Sequence, residues 1–439
     1  MSSLRKTMVD TCIILADSPG VSVELCGISI LERLLRTLQR CEIKRAIILS
    51  SRADVVGRAL ARRSWARAQI DVTVCNGGPV AVTVERIVDV WPKPVKLLLV
   101  VRGDTVLDTR LLRLLGTQTK SAVLIDRAPP PGSPLQELVV SAPEMEKFCG
   151  AAVIDYQWAR TQTGSFEETL IRAMTTQQIA AIDVAALSSY SPEMRRDIRP
   201  YWFPAPSPSR KKLAERLLLH SAQKGAPDLP AWVHAPIENF LIARLCKTPI
   251  TPNQLTVFTN AVAWIATVLF ATGRLGWGLA LALIVGVLDG LDGKQARVKV
   301  ETTKRGKLEH WFDTLFEWSW WISIAYYLQS SGQLAGAFRY LLLLLVAEAI
   351  DGILKASVKF TTDRLIDELG AFERLVRLIG GRRNVYVWIL TIGFLLGAPG
   401  KAFVAMAWLE LVTAIVHLPR AVWEIGVKRY VTGLSRKVS

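Results

Sequence analysis

Four acidic residues in the C-terminal half of the sequence have types and spacings suited to binding a metal ion. Asp289 and Asp292 are three residues apart, and Glu309 and Asp313 are four residues apart. Residues three or four apart lie on one face of a helix, so each pair directs two carboxylates the same way. Carboxylate oxygens from two neighbouring helices are the ligands that hard divalent cations prefer. The four acids therefore predict a metal site.

Small and basic residues beside these acids indicate what the metal would bind. Gly293 and Ala296 leave room for a ligand near the helix backbone, and Arg297 can bind a phosphate. Together with the acids they favour a metal-bound diphosphate. The alternative is a network of ion pairs between the acids and Lys294, Arg297 and Lys307, but such a network does not require small residues at fixed offsets.

The elements that must position these residues are apolar. The chain has 439 residues, of which 51% are hydrophobic and 21% charged, yet its mean hydropathy is +0.28. A soluble domain with this much charge averages below zero, which argues against a purely soluble or disordered chain. Six apolar stretches follow the N-terminal half, at 255–271, 275–288, 314–328, 334–358, 385–396 and 402–418. They predict an all-α bundle of six transmembrane helices.

Basic residues predict the orientation of this bundle. They are concentrated in segments 294–307, 364–383 and 420–437. The remaining loops, around 272–276, 330–333 and 398–401, contain one basic residue each at most. Because basic loops stay on the cytoplasmic side, we expect an integral protein of the cytoplasmic membrane with its N-terminal domain and both termini in the cytoplasm. Part of the formal net charge of +16 is therefore explained by topology.

The acidic pattern resembles the signature of the CDP-alcohol phosphotransferase family, D-x2-D-G-x2-A-R followed after eight or more residues by G-x3-D-x3-D. The residues that match it in order and spacing are Asp289, Asp292, Gly293, Ala296, Arg297 and Gly306. The second half of the signature departs from the family, since His310 and Thr314 stand where the family has Asp.

Two alignments restore the missing acids. A one-residue contraction gives the third and fourth acidic roles to Glu309 and Asp313, and a three-residue insertion gives them to Asp313 and Glu317. We prefer the contraction as the smaller change. The resemblance then implies that Asp289, Asp292, Glu309 and Asp313 bind two ions of Mg²⁺ or Mn²⁺. It also implies that Asp313 is the catalytic base that deprotonates the acceptor hydroxyl.

The same resemblance implies direct transfer of a phospho-alcohol group from a CDP-alcohol to a hydroxyl acceptor, with release of CMP. The donor would be CDP-inositol or CDP-diacylglycerol, and an inositol or polyol phosphate is our first expectation for the acceptor. The expected partners are these substrates, the lipid bilayer and a second copy of the chain in a homodimer. No nucleic-acid partner is expected.

Four further residues are candidates for binding the substrates. Asn253 and Thr256 open the first span in a segment that resembles the family's nucleotide-binding segment, although a plain helix start explains it equally well. Arg382 and Arg383 open the fifth span. They are either anchors on the cytoplasmic side or ligands of a phosphate or polar head of the acceptor.

The N-terminal half predicts an alternating α/β sheet. Strands are expected at 12–16, 45–49 and 96–101, with a helix at 30–40. The half resembles the nucleotidyltransferase fold, in particular inositol-phosphate cytidylyltransferases fused to a CDP-alcohol phosphotransferase. The expected fold is therefore an N-terminal α/β nucleotidyltransferase-like domain, residues 1–228, plus a C-terminal all-α six-helix transmembrane bundle, residues 229–439. The second domain would begin with a short interfacial helix around 237–247.

The catalytic parts of a nucleotidyltransferase are incomplete in this half. The loop at 17–21 contains Pro19 and no arginine where the family has a Gly-rich basic loop, and Ser29 stands near the expected lysine. The segment 202–204 replaces a metal-binding aspartate, which leaves Asp104 as a single candidate ligand. We therefore expect this domain to be a structural or regulatory partner.

Three other functions are compatible with parts of the sequence. The first is a bifunctional enzyme with an active N-terminal cytidylyltransferase, and the second is a non-catalytic membrane scaffold that binds a nucleotide. A transporter is the third, but the only ionisable residues in the middle of the predicted spans are Glu348, Asp351 and Glu410.

Overall fold

The computed structural model describes residues 9–61, 70–76, 82–129, 133–139, 148–225, 228–301 and 306–438. For residues 55, 59, 61, 306–312 and 428–438 only the backbone is described. Short 3-10 helices lie at Pro19–Ser22, Val184–Ala186 and Ile366–Glu368.

The N-terminal half alternates strands and helices. Its strands are β1 Thr11–Leu15, β2 Glu24–Leu25, β3 Ile28–Ser29, β4 Arg45–Ser50, β5 Asp71–Asn76, β6 Leu97–Arg102, β7 Thr105–Leu107, β8 Ala122–Ile125, β9 Phe148–Asp155, β10 Ala180–Asp183, β11 Tyr190–Ser191, β12 Arg196–Asp197 and β13 Trp202–Pro204. Its helices are α1 Ile30–Arg40, α2 Ala53–Ala61, α3 Val84–Asp89, α4 Thr109–Gly116, α5 Pro134–Val139, α6 Tyr156–Ala159, α7 Phe166–Thr175 and α8 Lys211–Ser221. The predicted helix and three strands are confirmed to within one residue.

The main sheet of the described residues has seven strands in the order β10-β8-β9-β6-β1-β4-β5. β9 runs antiparallel to both of its neighbours, and the other pairs are parallel. Successive side chains of a strand point to opposite faces, so Cys12 and Ile14 join one core and Ile13 joins the other. The α/β prediction is therefore confirmed.

The C-terminal half is helical throughout its described residues. Its helices are α9 Leu229–Leu245, α10 Pro252–Ala271, α11 Leu275–Val298, α12 Gly306–Ser330, α13 Ala337–Thr362, α14 Ala371–Ile379, α15 Arg383–Leu395 and α16 Pro399–Val438. Four of the six predicted spans fall within one of these helices, whereas 334–358 begins three residues before α13 and 385–396 ends one residue after α15. The core of this half packs buried aromatic and small residues of α10, α11, α12, α13, α15 and α16.

Among the described residues, three helical segments are long and apolar enough to cross a membrane, namely 252–271, 275–298 and 399–427. α15 is apolar but has only 13 residues, and α13 carries Glu348, Asp351 and Lys355 near its middle. The chain is therefore a membrane protein, but the predicted count of six spans is not confirmed.

α9 is inverted relative to a helix of a soluble protein. Its apolar residues Trp232, Ile237 and Phe240 are exposed, whereas His234 and Glu238 are buried against α11. Gly286 and Gly290 of α11 make this close approach possible, since a Cβ at Gly290 would lie 2.7 Å from Oε1 of Glu238. A helix covers most of the segment around 237–247 where the sequence predicts a short interfacial helix, but it begins at Leu229 and has 17 residues. An apolar outer face suits contact with lipid.

The two halves are joined at the C-terminal end of α11. The Arg33 guanidinium of α1 donates to the Val298 carbonyl at 2.5 Å, and Arg36 donates to the Lys299 carbonyl at 2.8 Å and to Glu301 at 3.1 Å. The last carbonyls of a helix lack partners within the helix and carry its negative dipole end. Two arginines of the soluble domain therefore cap a helix of the membrane domain.

Close packing reinforces this junction. Val298 of α11 and Cys246, which follows α9, belong to the same buried cluster as the sheet residues of the N-terminal half. Gly27 has a left-handed φ of 82°, and a Cβ at this position would clash with the Cys246 carbonyl. The domains therefore share a core, and the connection between them is not a free linker.

We expect Arg36→Met to loosen the junction. The substitution removes hydrogen bonds from a buried charge, each contributing roughly 1.5–3 kcal/mol, and takes away the side-chain donor to the Lys299 carbonyl, while Arg33 still caps the Val298 carbonyl. The thermal midpoint of the purified full chain in detergent should fall by several degrees. Arg58→Met is the matched control, because Arg58 is exposed and pairs with Asp54, which is also exposed. Equal midpoints for the two variants would contradict the capping role.

Candidate functional site

Three carboxylates meet at a cavity of about 390 Å³ inside the C-terminal half. They are Asp289 of α11 and Asp313 and Glu317 of α12, which all line the cavity. Asp313 and Glu317 are four residues apart, so both point from one face of α12. Among the described residues, neither Asp313 nor Glu317 has a hydrogen-bond or ion-pair partner, which leaves their oxygens available to a ligand.

Arg383, at the start of α15, is one of the cations that line this cavity, together with Lys355 and Arg382. It donates to Oδ2 of Asp289 at 2.6 Å, and its guanidinium lies 5.1 Å from the ring centroid of Phe316. Its side chain is 13% exposed, and its Nε atom is buried without a hydrogen bond. A buried charge is costly unless it is paired. Asp289 therefore compensates Arg383 in this structure.

Asp292 lies one helical turn further along α11 and is 5% exposed. Its Oδ2 atom accepts a hydrogen bond from the Thr256 hydroxyl of α10 at 2.6 Å, and its Oδ1 atom accepts one from the Gly293 amide at 2.5 Å. Thr256 is therefore hydrogen-bonded to one of the acidic residues of α11. Asn253, the other candidate of α10, is exposed at the start of the helix.

The cavity extends to acids that the sequence marked only as mid-membrane charges. Asp351 accepts a 2.6 Å hydrogen bond from His417 and pairs with Lys355, while the Tyr386 hydroxyl donates to Glu410. All of these except His417 line the cavity together with Glu348. Sequence reasoning missed that they join the site, because α13 and α16 lie far from α11 in the chain. Their mid-span acidity was the only available signal.

Gly381 allows the cavity wall to close. A Cβ at this position would clash with the Glu410 carboxylate and the Tyr386 hydroxyl, and the Gly381 amide donates to the Thr413 hydroxyl at 2.9 Å. The backbone before α15 is thus held against α16, and this contact sets the position of the two arginines that follow.

The predicted metal ligands are partly assembled. The side chain of Glu309 lies outside the described residues, and within the described part of the chain no group of three or more His, Cys, Asp or Glu is arranged to hold a metal ion. Asp289 faces Arg383 and Asp292 faces Thr256. The oxygen donors are nevertheless of the hard type that suits Mg²⁺ or Mn²⁺, so the donor chemistry fits a divalent cation.

Arg297 points away from the acidic cavity. Its Nε atom donates to the Ala222 carbonyl at 2.7 Å, and its guanidinium passes over Gly293, where a Cβ would lie 3.1 Å from it. Ala296 is half-buried on α11, and Gly306 begins α12. The structure therefore brings Asp289, Asp313 and Arg383 together, but it places Arg297 at the junction of the domains.

A second cavity, of about 240 Å³, adjoins the first and shares Lys355, Gly381 and Arg382 with it. Arg195 of the soluble domain and Arg377 of α14 line it and pair with Asp367, at 3.4 Å and 2.5 Å. Arg382 forms no ion pair with any carboxylate in the described part of the chain. It lines both cavities, and among the described residues its charge has no carboxylate partner.

Buried groups of α9 flank α11 beside the acidic residues. Burial raises the pKa of the Glu238 carboxyl above its ordinary value, and the charges of Lys294 and Arg297 only partly oppose this shift. Burial also lowers the pKa of His234. Lys294 donates to Gln223 at 2.5 Å and to Asn239, which ties α11 to α9 and to the junction.

In the N-terminal half, Asp104 and the loop at 17–22 are in contact with other residues of the chain. Arg102 holds both oxygens of Asp104, each at 3.0 Å. Burial alone would raise the pKa of Asp104, but its hydrogen bonds and the charge of Arg102 outweigh burial and lower that pKa. The loop at 17–22 forms a 3-10 turn, and a Cβ at Gly20 would lie 2.6 Å from Ala205 and 3.0 Å from Asp104 Cβ.

Comparison with known proteins gives matches for both halves. Residues 249–416 match the family model of the CDP-alcohol phosphatidyltransferases. The bifunctional IPC transferase and DIPP synthase of Rubrobacter xylanophilus is 31% identical over 223 residues, which cover 49% of this chain and 48% of that protein. The chain spans about half the length of the curated relatives it matches first.

Two solved structures resemble one half each. The inositol-1-phosphate CTP transferase of T. maritima has a TM-score of 0.35 and 12% identity, and covers 47% of this chain and 96% of its own. The phosphatidylinositol phosphate synthase of Mycobacterium tuberculosis, with CDP-DAG bound, has a TM-score of 0.34 and 17% identity, and covers 43% and 94%.

The match to the family model includes the acidic residues of α11 and α12 and the arginines that open α15. The C-terminal region of this chain, residues 249–416, is therefore a region that matches the CDP-alcohol phosphatidyltransferase family.

Proposed function

We propose that the chain transfers a phospho-alcohol group from a CDP-alcohol to a hydroxyl acceptor and releases CMP. One observation carries this proposal. Asp289, which opens the D-x2-D-G-x2-A-R motif, shares a cavity with Asp313, Glu317 and Arg383. The relatives named as IPC transferase and DIPP synthase, and as phosphatidylinositol phosphate synthase, support the reaction class.

In the proposed reaction, a carboxylate of α12 takes the proton of the acceptor hydroxyl. The hydroxyl oxygen then bonds to the phosphorus that carries the alcohol group, the bond from that phosphorus to the bridging oxygen of the diphosphate breaks, and CMP leaves with that oxygen. Positioning the attacking oxygen and removing its proton are the main tasks left to the protein.

We propose Asp289, Asp292 and Asp313 as ligands of Mg²⁺ or Mn²⁺, in one or two ions. When bound, the cations neutralise the diphosphate and stabilise the attacking and leaving oxygens. Because Asp289 is among the proposed ligands, binding of a cation would release Arg383 from its ion pair with Asp289. Its guanidinium lies where it can hold a phosphate oxygen in the same cavity.

The cavity supports the second of the two alignments for the remaining acid. Glu317 lines it together with Asp313, whereas the side chain of Glu309 is not described. We therefore propose Asp313 as the third acid and Glu317 as the fourth, which gives the base role to Glu317. Under the contraction, Glu309 is the third acid and Asp313 the base. Asp313 faces the reacting groups in both alignments.

The adjoining cavity supports a phosphorylated acceptor. Lys355 and Arg382 border both cavities, and the pairing of Asp367 leaves Arg382 without a carboxylate partner among the described residues. A polyol phosphate could place its phosphate beside Arg382 and its hydroxyl beside the acids of α12. We propose such an acceptor, with CDP-inositol or CDP-diacylglycerol as the donor.

We propose that the N-terminal domain has lost cytidylyl transfer. The support is that Arg102 binds Asp104 and that Gly20 packs against Asp104. We also propose that this domain and both termini are cytoplasmic and that the chain forms a homodimer, on the basis of the basic loops and the family. Formation of a CDP-alcohol from CTP and a polyol phosphate by the purified chain would contradict the loss of activity and favour the bifunctional alternative.

The central assay measures CMP released from a panel of CDP-alcohols and acceptors by the purified chain with Mg²⁺. We expect Asp313→Asn to lower the rate at least a hundredfold, because the substitution removes a metal ligand or the base. EDTA should abolish the reaction of the parent. Asp54→Asn, at an exposed surface position, is the matched control. If no pair of CDP-alcohol and acceptor released CMP, or if Asp313→Asn were as active as the parent, the proposed transferase activity would be wrong. The non-catalytic scaffold would then be the remaining alternative.

Two further substitutions separate the alignments. We expect Glu317→Gln to lower kcat strongly at saturating Mg²⁺, because it removes the proposed base, while Glu309→Gln keeps both kcat and the Mg²⁺ requirement of the parent. The measurement is the rate of CMP release as a function of Mg²⁺ concentration. If Glu309→Gln instead raised the Mg²⁺ requirement and Glu317→Gln were neutral, the contraction would be correct.

A further inference from the structure

A third cavity lies at the junction of the two domains, apart from the acidic cavity. Its volume of about 80 Å³ is a fraction of the 390 Å³ of the acidic cavity, and the two share no lining residue. α1, the start of α4, the β11–β12 hairpin and the end of α8 contribute from the soluble half, and Arg297 and Val300 contribute from the end of α11.

The lining of this cavity is rich in arginine. Arg33, Arg40, Arg110 and Arg297 face it, against the two carboxylates of Asp108 and Glu193. Both carboxylates form ion pairs. Asp108 pairs with Arg110 at 2.8 Å and caps α4. Glu193 lies 3.7 Å from Arg113, a residue that does not line the cavity. The acids therefore compensate Arg110 and Arg113 first.

Among the described residues, three guanidinium groups form no hydrogen bond or ion pair with a carboxylate, although the charges of Asp292, Glu193 and Glu238 act on Arg297. Within the described part of the chain, Arg33 bonds only the carbonyls of Val298 and Leu25, Arg297 bonds only the Ala222 carbonyl, and Arg40 makes no side-chain hydrogen bond. Arg33 is 4% exposed, and its Nε atom is buried with no partner. Burial lowers the pKa of Arg33, which reflects the cost of keeping this charge away from water.

We propose that this junction cavity binds a phosphate group. The oxygens of a phosphate match the forked donors of arginine. The negative charge of the phosphate would also offset the repulsion among the three guanidinium groups. The cavity suits a group of phosphate size and is too small for a whole nucleotide. The phosphate is either a free ion or the phosphate of a larger molecule whose remainder lies outside.

Such an anion would bridge the domains. It would contact α1 of the soluble half and Arg297 at the end of α11, beside the carbonyls that Arg33 and Arg36 cap. Occupancy would therefore strengthen the contact that holds α11 against the soluble domain. This inference does not rest on the proposed transferase activity, because none of the proposed catalytic acids lines the cavity.

The test is isothermal titration calorimetry of the purified full chain in detergent with inorganic phosphate, at constant ionic strength set with chloride. We expect saturable binding by the parent and at least tenfold weaker binding by Arg40→Gln, since Arg40 supplies charge to the cavity without a structural hydrogen bond. Phosphate should also raise the thermal midpoint of the parent. Arg58→Gln and Asp313→Asn should bind phosphate as the parent does.

A second titration with CMP distinguishes the sources. Binding of CMP that weakens in Arg40→Gln, without binding of inorganic phosphate, supports the site with the phosphate of a larger molecule as its ligand. If neither probe binds, or if Arg40→Gln binds each probe as tightly as the parent, the inference is wrong. Loss of CMP release in Asp313→Asn with intact phosphate binding would separate this site from the catalytic one.

Discussion

The C-terminal end of α11 is the contact on which the rest of the structure depends. α11 carries Asp289 and Asp292 in its later turns and ends at Val298, whose carbonyl is capped by Arg33 of the soluble domain. A helix end has both unpaired carbonyls and a negative dipole, and guanidinium groups satisfy both. The position of the acidic residues along the helix axis is therefore set by contacts of α1, which contributes no side chain to their cavity.

Inside the membrane half, the governing constraint is the cost of buried charge. Asp289 is paired with Arg383, Asp292 accepts from Thr256, and Asp351 is held by His417 and Lys355. Asp313 and Glu317 have no such partner in the described part of the chain. Charges are kept away from water only where they are paired or where function requires them. The two acids of α12 are therefore the groups with most to gain from a bound cation or substrate.

The sequence predicted those parts of the structure that depend on local pattern. The helix predicted at 30–40 is confirmed as α1. The acids of α11 were recognised because a helix places residues three apart on one face. The length of α9 and the inverted burial of its faces could not be predicted, because they depend on close packing against Gly286 and Gly290 of another helix.

Long-range contacts account for the remaining differences. Arg297 was expected to meet a substrate phosphate, but its direction is set by the Ala222 carbonyl, 75 residues away in the chain. The ion pair between Arg383 and Asp289 also results from tertiary packing, and so does the junction cavity. Neither could be predicted from the spacing of residues in the sequence. The choice between Glu309 and Glu317 depended on a gap in an alignment, whereas Glu317 is seen to line the cavity.

The most direct test of this account is to locate Mn²⁺ by anomalous scattering in crystals of the full chain grown with Mn²⁺ and a CDP-alcohol. We expect Mn²⁺ ligated by Asp289 and Asp313, with Arg383 released from Asp289 and turned to a phosphate oxygen. If Arg383 remained paired with Asp289 at saturating Mn²⁺ and no Mn²⁺ lay in the acidic cavity, the proposed catalytic site would be wrong.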